Sequence, residues 1–282
     1  MLADTGAAVL AGGTDFYPAL GDRPLKRPIL DVTRIAGLRG IIRDGGTWRI
    51  NAGATWTDLV RARLPRQFDG LVAAARELGS IQIQNAATIA GNICNASPAA
   101  DGTPCLLTLD AEVEIASPRG VRRVPLAAFV LGPRRTALAA DELVVAILVP
   151  DLGAAARSSF LKLGARRYLV ISIASVATCL TLAEDGTIAS ARVAVGACSA
   201  VPMRLPELES ALAGAAAGAA AGAGEDVAAR VRPEHFAALT PISDMRGPAD
   251  YRRASVAELT RRALRLALAG AGGARPAGAG HA

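Results

Sequence analysis

The chain has 282 residues, 51% of them apolar and only 4% aromatic, with a formal charge of +6. Length and apolar content allow a buried core divided over two or three units, and the scarcity of rings leaves packing to small side chains and close backbone approach. Nearly all the positive charge is arginine, scattered along the chain; the pairs Arg122-Arg123, Arg134-Arg135 and Arg166-Arg167 are not interleaved with aromatics. That pattern argues against a nucleic-acid groove and for docking onto an acidic protein partner.

In chain order, residues 2–6 read as a helix end, and an apolar strand over 7–11 follows at once. Next come a short helix over 16–20, a strand over 28–32, and a hairpin of 38–43 with 47–52 joined by Asp44-Gly45-Gly46. A second unit opens with a helix from Thr57, its expected N-cap, to Leu64 and continues with a helix over 71–78. A strand-like apolar stretch leads to a second glycine loop at 88–92; a helix over 104–109 and strands over 112–116, 121–125 and 142–149 complete the unit. Asp151-Leu152-Gly153 marks a break. The third unit alternates strands over 158–164, 171–182 and 188–196 around an Asp185-Gly186 turn, and ends in helices over 205–213 and 249–268, an α+β pattern. Residues 211–229 are low-complexity Ala/Gly, read as a connector, and 270–282 as a disordered tail.

Four cysteines without a C-x-x-C pair and two histidines at unrelated spacing define no zinc or iron–sulfur site. The opening residues lack the basic-then-apolar pattern of a signal peptide, so the expected compartment is the reducing cytoplasm, with free thiols. The longest nearly apolar run, 168–183, is interrupted by Ser and Thr and is too short to span a membrane, so it reads as buried strand.

The chemistry concentrates in two small-residue segments. Gly12-Gly13 follows an apolar strand and precedes Thr14-Asp15, which suits an anion held by main-chain amides; an ordinary tight turn uses the same residues. Thr88 and Asn92 flank Gly91 with side-chain donors and acceptors, and here the plain alternative is an Asn-rich turn. Asp101, after Ser97-Pro98, is either a carboxylate for sugar hydroxyls or the N-cap of the helix that follows, and both roles can coexist.

Taken in order, Leu10 to Asp15, then Gln82 to Ile93, then Asn95-Ala96-Ser97-Pro98 with Asp101, then Pro150 and Lys162 to Arg167, this set resembles the FAD-binding medium subunit of the molybdenum hydroxylases, from about residue 7 to 268. The resemblance implies an α+β fold: a two-part FAD-binding domain of the vanillyl-alcohol-oxidase/PCMH type (1–54 and 55–154), then an α+β C-terminal flavoprotein domain (155–269). It also implies that Val9, Leu10, Ala11, Gly12, Gly13, Thr14, Asp15 and Phe16 wrap the FAD pyrophosphate, that Thr88, Ile89, Ala90, Gly91 and Asn92 grip it from the other side, and that Asp101 contacts a sugar hydroxyl. Leu78 and Val144 would line the flavin or adenine and Lys162 would reach the cofactor, although plain core residues and a solvated strand lysine fit these positions as well.

Implied partners are a molybdopterin-binding large subunit and a small subunit with 2Fe–2S clusters, in a dimer of heterotrimers. Electrons would pass through FAD to NAD, quinone or oxygen, and no catalytic residue is named. A stand-alone flavin oxidoreductase and a non-catalytic scaffold are the competing readings. Three departures from the family pattern stand out. Ala90 occupies the place of a usual glycine, tolerable where φ is negative. The strand and helix that usually precede the first glycine loop are missing, which reads as a truncated or mis-started chain. A four-cysteine insertion found in one branch of the family is absent.

Overall fold

The computed structural model describes residues 2–217 and 226–269, so the expected tail and part of the Ala/Gly connector lie outside the described residues. A single helical turn, α1 (Leu2–Thr5), is closed by Gly6 at φ +56° and leads into β1 (Ala8–Leu10). The connection from β1 to its parallel neighbour carries α2 (Phe16–Leu20), after which β2 (Ile29–Asp31) completes the pair. The hairpin of β3 (Ile41–Asp44) and β4 (Thr47–Asn51) turns through Gly45 and Gly46, both at positive φ, which suits a tight primed turn.

Five short helices follow: α3 (Trp56–Arg61), α4 (Asp69–Glu77), α5 (Ile81–Ala86), α6 (Ile89–Asn95) and α7 (Gly102–Thr108). Here the structure corrects the sequence reading twice. Thr57 does not cap α3; Thr55 does, its hydroxyl accepting from Asp58 N–H while Asp58 accepts from the Thr55 N–H in a closed capping box. The stretch before the second glycine segment is helical rather than strand-like, because Ser80 and Thr88 cap two successive helices through hydroxyls that accept from Ile83 N–H and Gly91 N–H.

β5 (Glu112–Ser117), β6 (Gly120–Pro125), the turn α8 (Leu126–Phe129), the small pair β7 (Val130–Gly132) and β8 (Arg135–Thr136), and β9 (Leu143–Pro150) come next. Of these, β5, β6 and β9 complete an antiparallel five-stranded sheet of order β3-β4-β9-β5-β6, and β7 pairs with β8 in a separate two-stranded sheet. The last region builds a second antiparallel sheet from β10 (Ala156–Leu163), β11 (Ala174–Leu182), β12 (Ile188–Gly196) and β13 (Met203–Arg204), in that order, covered by α9 (Pro206–Leu212) and the long α10 (Ala249–Ala269). The apolar run read as strand over 168–183 is strand only from Ala174; Tyr168, Leu169 and Ile171 form an exposed loop, with Leu169 at φ +53°.

Two cores result. Trp56, Phe68 and Phe129 sit between the five-stranded sheet and α3, α4 and α7, and this core also takes Ala177 and Cys179 from β11. Val176 and Leu180, on the other face of β11, join Phe236 and Leu264 in the second core. With helices against both faces, β11 is buried from Ala174 to Leu180, which is why it reads as a near-continuous apolar run. Ser158 and Ser159 fasten the middle sheet to both layers, through Gly70 N–H (2.7 Å) and Ala263 O (2.7 Å).

Candidate cofactor site

β1 delivers Ala11, Gly12 and Gly13 to one rim of a cavity of about 1010 Å³. Gly13 stands at φ +72°, a conformation that favours glycine. Gly12 has a different reason to lack a side chain: a methyl there would run into the backbone oxygen of Ala86 at the end of α5. The first glycine segment is thus pressed against the chain that leads into the second, and this contact brings the two together. In the second segment Ala90 lies in the first turn of α6 at negative φ, so its methyl is accommodated where the family pattern has glycine.

Of the residues named from sequence, Val9, Ala11, Gly12, Gly13, Thr14, Asp15, Phe16, Leu78, Thr88, Ala90, Gly91, Asn92, Asp101, Val144 and Lys162 all line this one cavity. Leu10 and Ile89 do not; both are turned inward, and the Ile89 N–H is bound to Ala54 O. Leu78 and Val144 belong to the wall and the core at once. Asp101 occupies the N-cap position of α7 but makes no side-chain cap bond. Its carboxylate is buried and accepts instead from Lys162 Nζ (2.9 Å) and Ser172 Oγ (2.6 Å). Lys162 is therefore no solvated lysine: it also donates to the backbone oxygens of Glu77 and Val170. Burial raises the Glu77 carboxyl above its ordinary value, opposed by nearby Lys162 and reinforced by Asp101.

Sequence reasoning missed Trp56, Ile83, Arg134 and the 169–171 loop, which also line the cavity. Arg134 adopts φ +59° and donates to Asn95 Oδ1 at 2.6 Å; only the Asn95 half of that contact had a motif to signal it. Two wall residues carry buried polar atoms without a protein partner, the Asn92 Oδ1 acceptor and the Trp56 Nε1 donor. An orphaned acceptor and donor in the wall of a cavity of this size fit a large ligand rich in hydroxyl and amide groups. FAD meets that description, and the wall would hold it through the two glycine segments, Asn92 and the Asp101–Lys162 pair. Other chemistry is poorly provided for. Burial lifts the thiols of Cys94 and Cys179 to about 12 and that of Cys198 to about 11, far from thiolate formation at neutral pH. Among the described residues no group of three His, Cys, Asp or Glu is placed to hold a metal ion, and no helix is long and apolar enough to cross a membrane.

Comparison with known proteins agrees with this geometry. Residues 1–152 match the FAD-binding domain in molybdopterin dehydrogenase, and residues 159–267 match the CO dehydrogenase flavoprotein C-terminal domain. The xanthine dehydrogenase FAD-binding subunit of Escherichia coli O157:H7 is 33% identical over 97% of this chain and 93% of its own length. The nicotine 6-hydroxylase medium subunit of Paenarthrobacter nicotinovorans is 30% identical over 93% of this chain and 89% of its own. Among solved structures, a carbon monoxide dehydrogenase from Hydrogenophaga pseudoflava superposes with a TM-score of 0.84 at 29% identity, over 95% of this chain and 92% of the other. The chain belongs to the FAD-binding subunits of the molybdenum hydroxylases, the oxidoreductase family of the xanthine and carbon monoxide dehydrogenases.

Proposed function

We propose that this chain holds FAD in the cavity bordered by β1, β9 and β10 and serves as the electron outlet of a molybdenum hydroxylase. Its partners in that reading are a molybdopterin-binding large subunit and a small subunit with 2Fe–2S clusters, joined as a dimer of heterotrimers in the cytoplasm. The observation that carries the proposal is the convergence of both glycine segments, Asp101 and Lys162 on one cavity of about 1010 Å³. Residues 1–54 and 55–154 act as the two halves of a PCMH-type FAD-binding domain, and residues 155–269 as the C-terminal flavoprotein domain that contributes Lys162 and the loop over 169–171.

Bound FAD supplies the chemistry the side chains lack, taking electrons singly and releasing them in pairs. The chain's own work is to bind and orient. Gly12 and Gly13 let main chain approach the diphosphate, and Thr14, Thr88 and Asn92 offer polar side chains around it. Asp101, held by Lys162 and Ser172, keeps acceptor capacity for a sugar hydroxyl. Leu78 and Val144 form the apolar wall against which a flat ring would stack, and Lys162 lines the cavity beside Asp101. NAD, quinone and oxygen are the acceptors to assay.

The test is the flavin content of the chain purified with its partners, together with Asn92→Leu. If Asn92 Oδ1 serves the cofactor, the variant loses one hydrogen bond to FAD, a weakening of roughly two- to tenfold from about 0.5–1.5 kcal/mol. An orphan acceptor with no ligand role predicts the opposite, a more stable chain with unchanged flavin binding. A flavin-free assembly ends the proposal.

A further inference from the structure

Residues 78–100 contain no Asp, Glu, Lys or Arg, in a chain where one residue in five is charged (20%). Part of this segment is accounted for by the cavity, whose wall takes Leu78, Gly79, Ile83 and the second glycine segment. α5 is not. It buries none of its residues; Ile81 is 71% exposed, and Gln82, Asn85 and Ala86 are exposed beside it. Loss of charge from an exposed face that also carries a large exposed apolar residue is the compositional mark of an interface core.

The rim has the opposite character. α3, tied to α5 by the Thr57 hydroxyl donating to Asn85 Oδ1 at 2.6 Å, ends in Arg61, with Arg63 just beyond. Arg76 lies in the last turn of α4, where its backbone oxygen accepts from Gln84 Nε2 on α5. All three guanidinium groups belong to exposed residues, and none pairs with a carboxylate among the described residues. The acids of these two helices are otherwise engaged: Asp58 closes the α3 capping box, Asp69 pairs with Arg66, and Glu77 is half-buried beside Lys162. An uncharged helix with unpaired arginines on the two helices that contact it matches a partner face that is uncharged where it meets α5 and acidic beside it.

We propose that α5 and this arginine rim are the docking surface for the electron-donating iron–sulfur subunit. The inference rests on the electron-outlet reading above. Among the described residues no cluster of metal ligands exists, so electrons must enter through the protein surface. α5 puts such a surface next to the cavity: Ile83 lines it and Ile81, two residues earlier, is exposed.

The experiment uses the whole complex, purified through this chain from its native host, with Ile81→Glu and the double variant Arg61→Glu/Arg76→Glu. Ile81→Glu is expected to keep its bound flavin and the thermal midpoint of the isolated chain while affinity for the iron–sulfur subunit, read as copurified iron, falls at least tenfold. The arginine double variant is expected to slow association and to flatten the salt dependence that the unaltered chain displays. Unchanged iron content with unchanged reduction of the flavin by substrate overturns the proposal. So does loss of molybdenum with iron retained, which would assign the face to the other partner, and so does loss of flavin itself, which would make α5 part of the cavity alone. An unaltered complex that carries no flavin is a separate result: it removes the parent reading and this inference together.

Discussion

A lysine in the middle of a strand normally carries its ammonium into water on a flexible stem, yet the side chain of Lys162 is 3% exposed and clasped by Asp101 and two backbone oxygens. The residue was legible as a cofactor candidate through its motif, but its ion pair was not, because Asp101 lies 61 residues away in another unit. Asp101 was legible as chemistry but not in its partners, since the capping role open to it goes unused. A buried pair stabilises little on balance but is costly to break from one side, about 3–5 kcal/mol, because the survivor stays charged in a low-dielectric site. Lys162→Met and Asp101→Leu are each expected to lose stability on that scale, and the double variant is expected to recover most of it. Urea unfolding of the four proteins measures the coupling. Additive losses, or single losses under about 1 kcal/mol, the range of exposed pairs, would assign the contact a surface character the geometry denies.

Among elements, the hairpin of β5 and β6 is held to the entry of β9 by charge. Arg119 on the β5–β6 turn reaches Asp141, and Arg122 on β6 grips both carboxylate oxygens of Glu142 at 2.8 and 2.7 Å. The Arg122 hydrogen bonds, helped by the Ala139 N–H, lower the Glu142 carboxyl from 4.5 to about 2. A depressed value means the folded chain favours the ionised form, so this contribution is complete above 4.5 and is lost as pH falls through about 2. Glu142→Gln is therefore expected to be less stable at neutral pH and to lose less on acidification across that window, read from the thermal midpoint against pH. Equal acid slopes in the two proteins would exclude Glu142 as a source of acid sensitivity. Elements were readable where period and turn agreed: β12 was placed at its observed bounds, and Asp44-Gly45-Gly46 marked its hairpin. They were not where helices are too short to show a period, as in α5 and α6, which differ from loops only through the Ser80 and Thr88 caps.

For the whole molecule, motif order revealed the family, but not how distant segments meet. That depends on contacts such as Ser159 with Ala263, 104 residues apart, and on Gly12 against Ala86, which no local pattern announces. The cavity is the place where the meeting has a consequence. Its wall combines β1, α3 and α6 of the first region with Val144 of β9, Lys162 of β10 and the loop over 169–171. A ligand filling it touches both sheets, and β11 contributes to both cores, so neither sheet can unfold without exposing the other. FAD is therefore expected to stabilise the chain as one cooperative body. At free FAD one hundred times its dissociation constant, linkage gives about 2.7 kcal/mol, provided the unfolded chain does not bind. Calorimetry of the isolated full-length chain should show a single transition that moves upward as a whole with added FAD. If the C-terminal sheet melts in a separate transition that FAD leaves in place, Lys162 and the 169–171 loop border the cavity without bearing on the ligand, and the cofactor site ends at β9.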